Sequence, residues 1–379
     1  MVKAGVPHQR AIAKHPQIAV AHFARPSVIP AVNTAYKHVS RKRELKMRKL
    51  VVIAVVLAAL WAGYWFIGAR GVETAFTTWI EDRRSEGWVS QADDISTKGF
   101  PSRFDTIFTG LELADPDTGL AWRADEFQIL ALSYQPNHVI AVWPGKQVIS
   151  SPVQNISFTA DTFKGSLVFD ASTDLPLDRS SIVIDNLSMQ STGGWTAGLE
   201  SGQIATRKSS VAPNRHDIHF EATGLLPASS FIQSFAGGDL LPPVFERALL
   251  KGSVDFTKPW DRHAIEDARP QITRIEISEF DAKWGELGLK AVGTVDVDPR
   301  GIPEGEVAIK AKNWRKMIKI AEASGAIAPE LVSSVTRALE FVAGLSGNSK
   351  SLDVTLRLSG GAVFLGPIPI GSAPIIKIR

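Results

Sequence analysis

Residues 287–311 read LGLKAVGTVDVDPRGIPEGEVAIKA. Leu287, Leu289, Ala291, Gly293, Val295 and Val297 occupy alternate positions, with Glu286, Gly288, Lys290, Thr294 and Asp296 between them and Val292 the single exception. Successive strand residues point to opposite faces, so this is a strand with one apolar face. Asp298-Pro299-Arg300-Gly301 is a turn. Val307, Ile309 and Ala311 then return with Glu306 and Lys310 on the other face. The stretch predicts an antiparallel pair.

The same alternation recurs at Leu352, Val354, Leu356 and Leu358, set against Asp353, Thr355, Arg357 and Ser359. Weaker versions occur at Phe127-Ile129-Ala131, Ile182-Ile184 and Ile275-Ile277, with turn-like breaks at 115–119, 192–194 and 360–361. Helices interrupt this pattern. Asn313 reads as the N-cap of a helix from Trp314 to Ser324. Residues 329–345 place Leu331, Val335 and Leu339 on one face, and shorter helices are expected at Pro227–Phe235 and Pro243–Leu250. The expected fold is mainly β in the α+β class: a large, curved antiparallel sheet with a few packed helices, following an N-terminal transmembrane helix.

That helix is read from Leu50 to Ala69, twenty residues without a charge. At about 1.5 Å per residue it matches the roughly 30 Å hydrocarbon core of a bilayer. Trp61, Tyr64 and Trp65 gather at its far end like an interfacial belt, and Arg48 and Lys49 with four more basic residues flank its near end. By the positive-inside rule the basic end is cytoplasmic and the rest of the chain crosses the membrane. A buried core helix or a cleaved signal peptide are the rivals; the latter wants small residues where the aromatics stand.

Residues 1–49 hold eleven Lys or Arg and one acid, Glu44, whereas residues 50–379 hold 31 basic and 38 acidic residues. The basicity therefore belongs to the N-terminus, and a nucleic-acid-tracking surface on the body is not expected. Residues 1–46 show no periodicity and are expected to be a basic disordered tail or an extension upstream of a true start at Met47. The expected order is then an anchor at 47–70, a membrane-proximal helix at 71–87 and a β-rich domain at 88–379. A subdivision is expected near 203–214, where the chain is polar and Ser-rich.

The chain has no cysteine, which excludes disulfides and thiolate chemistry. No nucleophile elbow, zinc-protease helix, phosphate loop or dinucleotide fingerprint is present. His216 and His219 are three apart, on opposite faces of a strand, and do not chelate together. Asp296 and Asp298 share a face, but a turn cap explains them better than a carboxylate pair. No catalytic residue, metal or cofactor is therefore expected. Trp260, Arg262 and Trp314 are the candidates for recognition.

Two further patches carry a likeness: Gly99-Phe-Pro-Ser-Arg-Phe104 after the anchor, and Gly361-Ala-Val-Phe-Leu-Gly-Pro-Ile-Pro-Ile-Gly371 near the end. With Pro259-Trp260 and Asn313-Trp314 between them, residues 47–379 resemble an uncharacterised family of proteobacterial envelope proteins that is a domain of unknown function. The layout is more loosely similar to AsmA-like envelope proteins. These resemblances imply the bacterial inner membrane, a cytoplasmic N-terminus and a periplasmic main domain, and the second implies an apolar groove for phospholipid.

One-faced strands must be covered. Where the helices leave the face bare, a groove for lipid or another hydrophobic ligand results. The expected lining is Leu287, Leu289, Val295, Val297, Leu352, Val354, Leu356 and Leu358. The alternative is a scaffolding protein with a closed core, holding a protein partner through exposed aromatics. The anchor makes the membrane the one expected partner on either reading.

Overall fold

The computed structural model describes residues 33–236, 241–266, 268–325, 327, 329–345 and 350–378. The chain divides into two compact units, 1–59 and 60–379. In the first, the described residues are helical: α1 (Asn33–Ser85) begins there. The tail expected to lack regular structure is helical from Asn33, and residues 1–32 lie outside the described residues. The stretch Lys46–Ser85 is long and apolar enough to cross a membrane, and its side chains from Leu50 to Leu57 are exposed. The helix expected separately at 71–87 is part of this continuous α1.

Among the described residues, the second unit is built on one sheet of eighteen strands. All its pairings are antiparallel, and its rows follow chain order. β1 (Val89–Gln91) and β2 (Asp94–Lys98) lie end to end along β3 (Arg103–Asp115) in one register. β4 (Leu120–Leu132) pairs with β3 and carries β5 (Gln135–Val142) and β6 (Gln147–Ser150) end to end on its other edge. β7 (Asn155–Thr159) and β8 (Thr162–Phe169) form the next row, between those and β9 (Leu177–Ser191).

From there each strand pairs with the next: β10 (Thr196–Lys208), β11 (Arg215–Leu225), β12 (Phe245–Phe256), β13 (Ile272–Trp284) and β14 (Leu287–Val297). β15 (Pro303–Lys312), β16 (Ser351–Ser359), β17 (Ala362–Leu365) and β18 (Ile368–Ser372) complete the meander. The polar stretch read as a boundary lies on β10 and its turn into β11, with Gln203 paired on both sides.

Four further helices occur among the described residues: α2 (Ser229–Ala236), α3 (His263–Glu266), α4 (Trp314–Ala323) and α5 (Pro329–Leu345). The helix expected at Pro243–Leu250 is instead β12, because pairing with β11 and β13 on both edges outweighs local propensity. Asn313 does precede α4, but with φ 58° and no side-chain cap; its amide donates to the Glu286 carbonyl instead, at 2.7 Å.

A line of left-handed residues crosses the first half of the sheet. The ladder skips the pairs Gly110–Asp125, Asn186–Glu200 and Gly224–Glu246. Gly110, Asn186 and Gly224 are all left-handed, at φ 59°, 51° and 60°. Each closes a similar tetrad: Phe108-Thr-Gly-Leu111, Ile184-Asp-Asn-Leu187 and Ala222-Thr-Gly-Leu225. An acid of the preceding row packs on each. Asp161 accepts from Asn186 Nδ2 at 2.8 Å, and a Cβ on Gly110 or Gly224 would collide with the Asp93 or Glu200 carboxylate. Only glycine and, at some cost, asparagine take this conformation readily. The register is the same on both sides of each skipped pair, so no residue is inserted; what changes is side-chain parity, and Phe108 and Leu111 fall on one face.

Candidate apolar ligand face

Residues directly opposite on neighbouring strands share a face. One such row runs Ile129, Ala141, Gly165, Ile182, Ile204, Phe220, Leu250, Phe280, Ala291, Ile309 and Val354, from β4 to β16. No polar side chain interrupts it. The row beside it runs Phe163, Ile184, Gly202, Ala222, Ala248, Ala282, Leu289, Ala311 and Leu352, again without a polar residue. At roughly 4.8 Å per strand the first row is about 50 Å long. The opposite face carries Ser166, Ser181, Ala205, His219, Lys251 and Glu279 in its matching row.

Helices cover the two ends of this face. At the first end Phe76 of α1 meets Phe108 edge-on at 5.0 Å, and Ile80 is buried with Phe108, Leu111 and Ala124. At the other end Trp314, Val335, Leu339 and Ala343 of α4 and α5 bury Ala311, Leu352 and Leu365. Between these ends Leu167, Ile182 and Ile204 remain 42%, 39% and 49% exposed. The bare part of the face is therefore centred on β8, β9 and β10.

The residues expected to line a groove do share one face, but most lie under the helical end. Leu352 is buried there, and Leu289, Val354 and Leu356 pack against the same cluster. Val295 and Val297 are buried and Leu358 is half-buried. Leu287 and Leu289 alone border a hollow, an apolar one of 290 Å³ shared with Phe245, Trp284, Met317 and Ile320. A larger hollow of 660 Å³ lies at the α1 end, lined by Trp122, Phe127, Trp143, Phe158 and Phe163 among others. Trp143 stacks on Phe163 at 4.7 Å and meets Phe127 at 5.4 Å.

Gln147 explains how this aromatic wall tolerates a break between β5 and β6. It is buried to 1% exposure. Its carbonyl accepts from Trp122 Nε1 at 3.0 Å, and its amide donates to the Pro144 and Glu126 carbonyls at 3.0 and 3.3 Å. The side chain thus pairs backbone groups that the interrupted strand would leave unsatisfied.

The recognition candidates fall elsewhere. Trp314 is buried at 2% exposure, beneath the Arg315 guanidinium at 4.5 Å, so it is core and not a surface contact. Trp260 is half-buried against Phe256 and its carbonyl accepts from Leu177 N at 2.7 Å. Arg262 is exposed, and its backbone N–H donates to the Asp174 carbonyl. Asp298 caps its turn, accepting from Arg300 N and Ile302 N, which holds its carboxyl below the usual range. Asp296 pairs with Arg274 at 2.7 Å. A polar hollow of 740 Å³ opens on the opposite face. Its cations are engaged: Arg179 with Asp178, Arg207 with Asp217, Arg215 with Asp255 and Lys251 with Glu279.

The residues read as a membrane belt bond to turns of the sheet. Trp61 Nε1 donates to the Pro101 carbonyl at 2.8 Å, Tyr64 OH to Ser133 at 2.7 Å and Trp65 Nε1 to Arg103 at 2.7 Å. The motif Gly99–Phe104 is thus the dock for α1. Arg48 and Lys49, the charged members of the set, are exposed on α1.

A family model described as "Uncharacterized protein conserved in bacteria (DUF2125)" matches residues 65–374. No curated protein and no solved structure matches the chain.

Proposed function

The chain belongs to this bacterial family, DUF2125, and from that premise we propose that it is an envelope protein held by α1 in the inner membrane. Its N-terminus is cytoplasmic, its β domain periplasmic, and the bare apolar face between the helix-covered ends accommodates the acyl chain of a lipid or a similar hydrophobic ligand. The observation that carries this reading is the unbroken apolar row from Ile129 to Val354, left about half exposed at Ile182 and Ile204. A soluble protein rarely leaves such a patch bare unless something binds there. The role read here is accommodation, because neither apolar row carries an ionisable side chain.

The test is photo-crosslinking in the full-length chain. A benzophenone residue at Ile204, irradiated in native membranes, is expected to give an adduct of lipid mass. The same probe at His219, on the opposite face, is expected to give none. A protein adduct at Ile204, or none, would replace this reading with a scaffolding one.

A further inference from the structure

We propose that the turns docked on α1 form a second membrane contact, in which Phe66, Ile67, Phe100 and Tyr134 enter the headgroup layer of the bilayer. All four are among the most exposed apolar or aromatic side chains of the β unit, at 55%, 77%, 52% and 63%. They are adjacent. Phe66 stacks on Phe100 at 5.7 Å, and Phe100 meets Trp65 edge-on at 5.4 Å. Tyr134 follows Ser133, whose carbonyl holds Tyr64.

Depth is what assigns the partner. The β2–β3 and β4–β5 turns are bonded to Trp61, Tyr64 and Trp65, and these three belong to the uncharged run that ends at Ala69, before Arg70. A run of that length is consumed in crossing the hydrocarbon. Phe66 and Tyr64 stand three and five residues before Ala69, about 5 and 8 Å of helix, so Phe100, stacked on Phe66, and Tyr134, next to the Ser133 that holds Tyr64, lie just inside the far edge of the span, where Trp and Tyr prefer to be. A protein partner would have to compete there with lipid. The proposal rests on α1 crossing the membrane and is independent of what the bare sheet face holds.

The chain has no native cysteine, so one introduced thiol carries one label. Phe100→Cys, Tyr134→Cys, Leu57→Cys and Asp117→Cys are each labelled with a polarity-sensitive dye in the full-length protein. They are then reconstituted in nanodiscs of phosphatidylethanolamine and phosphatidylglycerol containing headgroup-level or chain-end quencher lipids. Asp117 sits beyond the far end of β3, thirteen residues long, or about 40 Å of strand. Labels at Phe100 and Tyr134 are expected to be quenched by the headgroup-level lipid about twofold more than Asp117, as interfacial side chains should be. The Leu57 label should respond most to the chain-end quencher. If Leu57 responds and both turn labels match Asp117, the second contact is refuted while the anchor stands. If Leu57 also fails to respond, the anchor and the contact fall together.

Discussion

A carboxylate placed on the apolar face separates bare surface from covered core. Leu352 is 5% exposed under α4 and α5. In Leu352→Asp the lost burial costs about 1.5–3 kcal/mol, and an unpaired buried carboxylate adds several kcal/mol more. The sum is comparable to the whole stability of a typical domain, about 5–15 kcal/mol. Ile204 is 49% exposed. There Asp forfeits roughly half of an Ile transfer energy, about 1 kcal/mol, plus up to about 1 kcal/mol of strand preference, and its charge stays hydrated. Thermal unfolding of the full-length protein in detergent, at one scan rate, should show a cooperative transition for Ile204→Asp lowered by only a few degrees. Leu352→Asp should lose the transition. If Ile204→Asp abolishes cooperative unfolding as well, the face between β8 and β10 is closed, and the ligand reading loses its basis.

Trp65→Phe keeps the ring but leaves the Arg103 carbonyl without its donor, a cost of about 1–3 kcal/mol. Amide exchange should quicken in the β2–β3 turn and around Ser133 and little elsewhere. Asn186→Val puts a β-branched residue at φ 51° and should cost about 1–3 kcal/mol. Asn186→Gly should cost less than about 1 kcal/mol, the worth of its bond to Asp161; denaturant midpoints compare them. Burial, then the nearby Lys208, pushes the His216 imidazole below its ordinary value. The unfolded chain therefore binds the proton more readily, so this contribution is complete above about pH 6.5 and is lost as pH falls through the lower folded value. His216→Gln should flatten stability against pH across that window.

The strands from 287 to 311 and from 351 to 359 were legible because nothing interrupts their period of two. The first half of the sheet was not, and three left-handed residues are the reason. At Gly110, Asn186 and Gly224 a left-handed residue shifts the side-chain parity. Phe108 and Leu111, three apart, then share one buried cluster, and an alternation count fails there. The sign that could have been read is the threefold recurrence of a small or acidic residue, then Gly or Asn, then Leu. Which strands the helices cover was not legible for a related reason. Alternation shows that a face is apolar, but not which segment the helices reach. Trp314 illustrates the point: flanked by Asn313 and Arg315, it reads as surface, yet it is the centre of the cluster that closes that end.

The order of the rows, which follows the chain, bears on how the sheet is made. β3 and β4 are joined across residues 116–119, and β13 and β14 across 285–286. Short closures cost little entropy, and each doubling of loop length adds only about 0.6 kcal/mol. Folding can therefore proceed as a zipper, each new strand settling on the last, with contact order low for so large a β protein. The segments 226–244, 257–271 and 313–350 make an edge wait for its partner. During growth the newest strand is always an open edge and a hazard for pairing with another chain. The last one, β18, is five residues long and contains Pro369, with Pro367 and Pro374 on either side. Residues without an amide donor end the zipper there and leave a poor template for any strand beyond it.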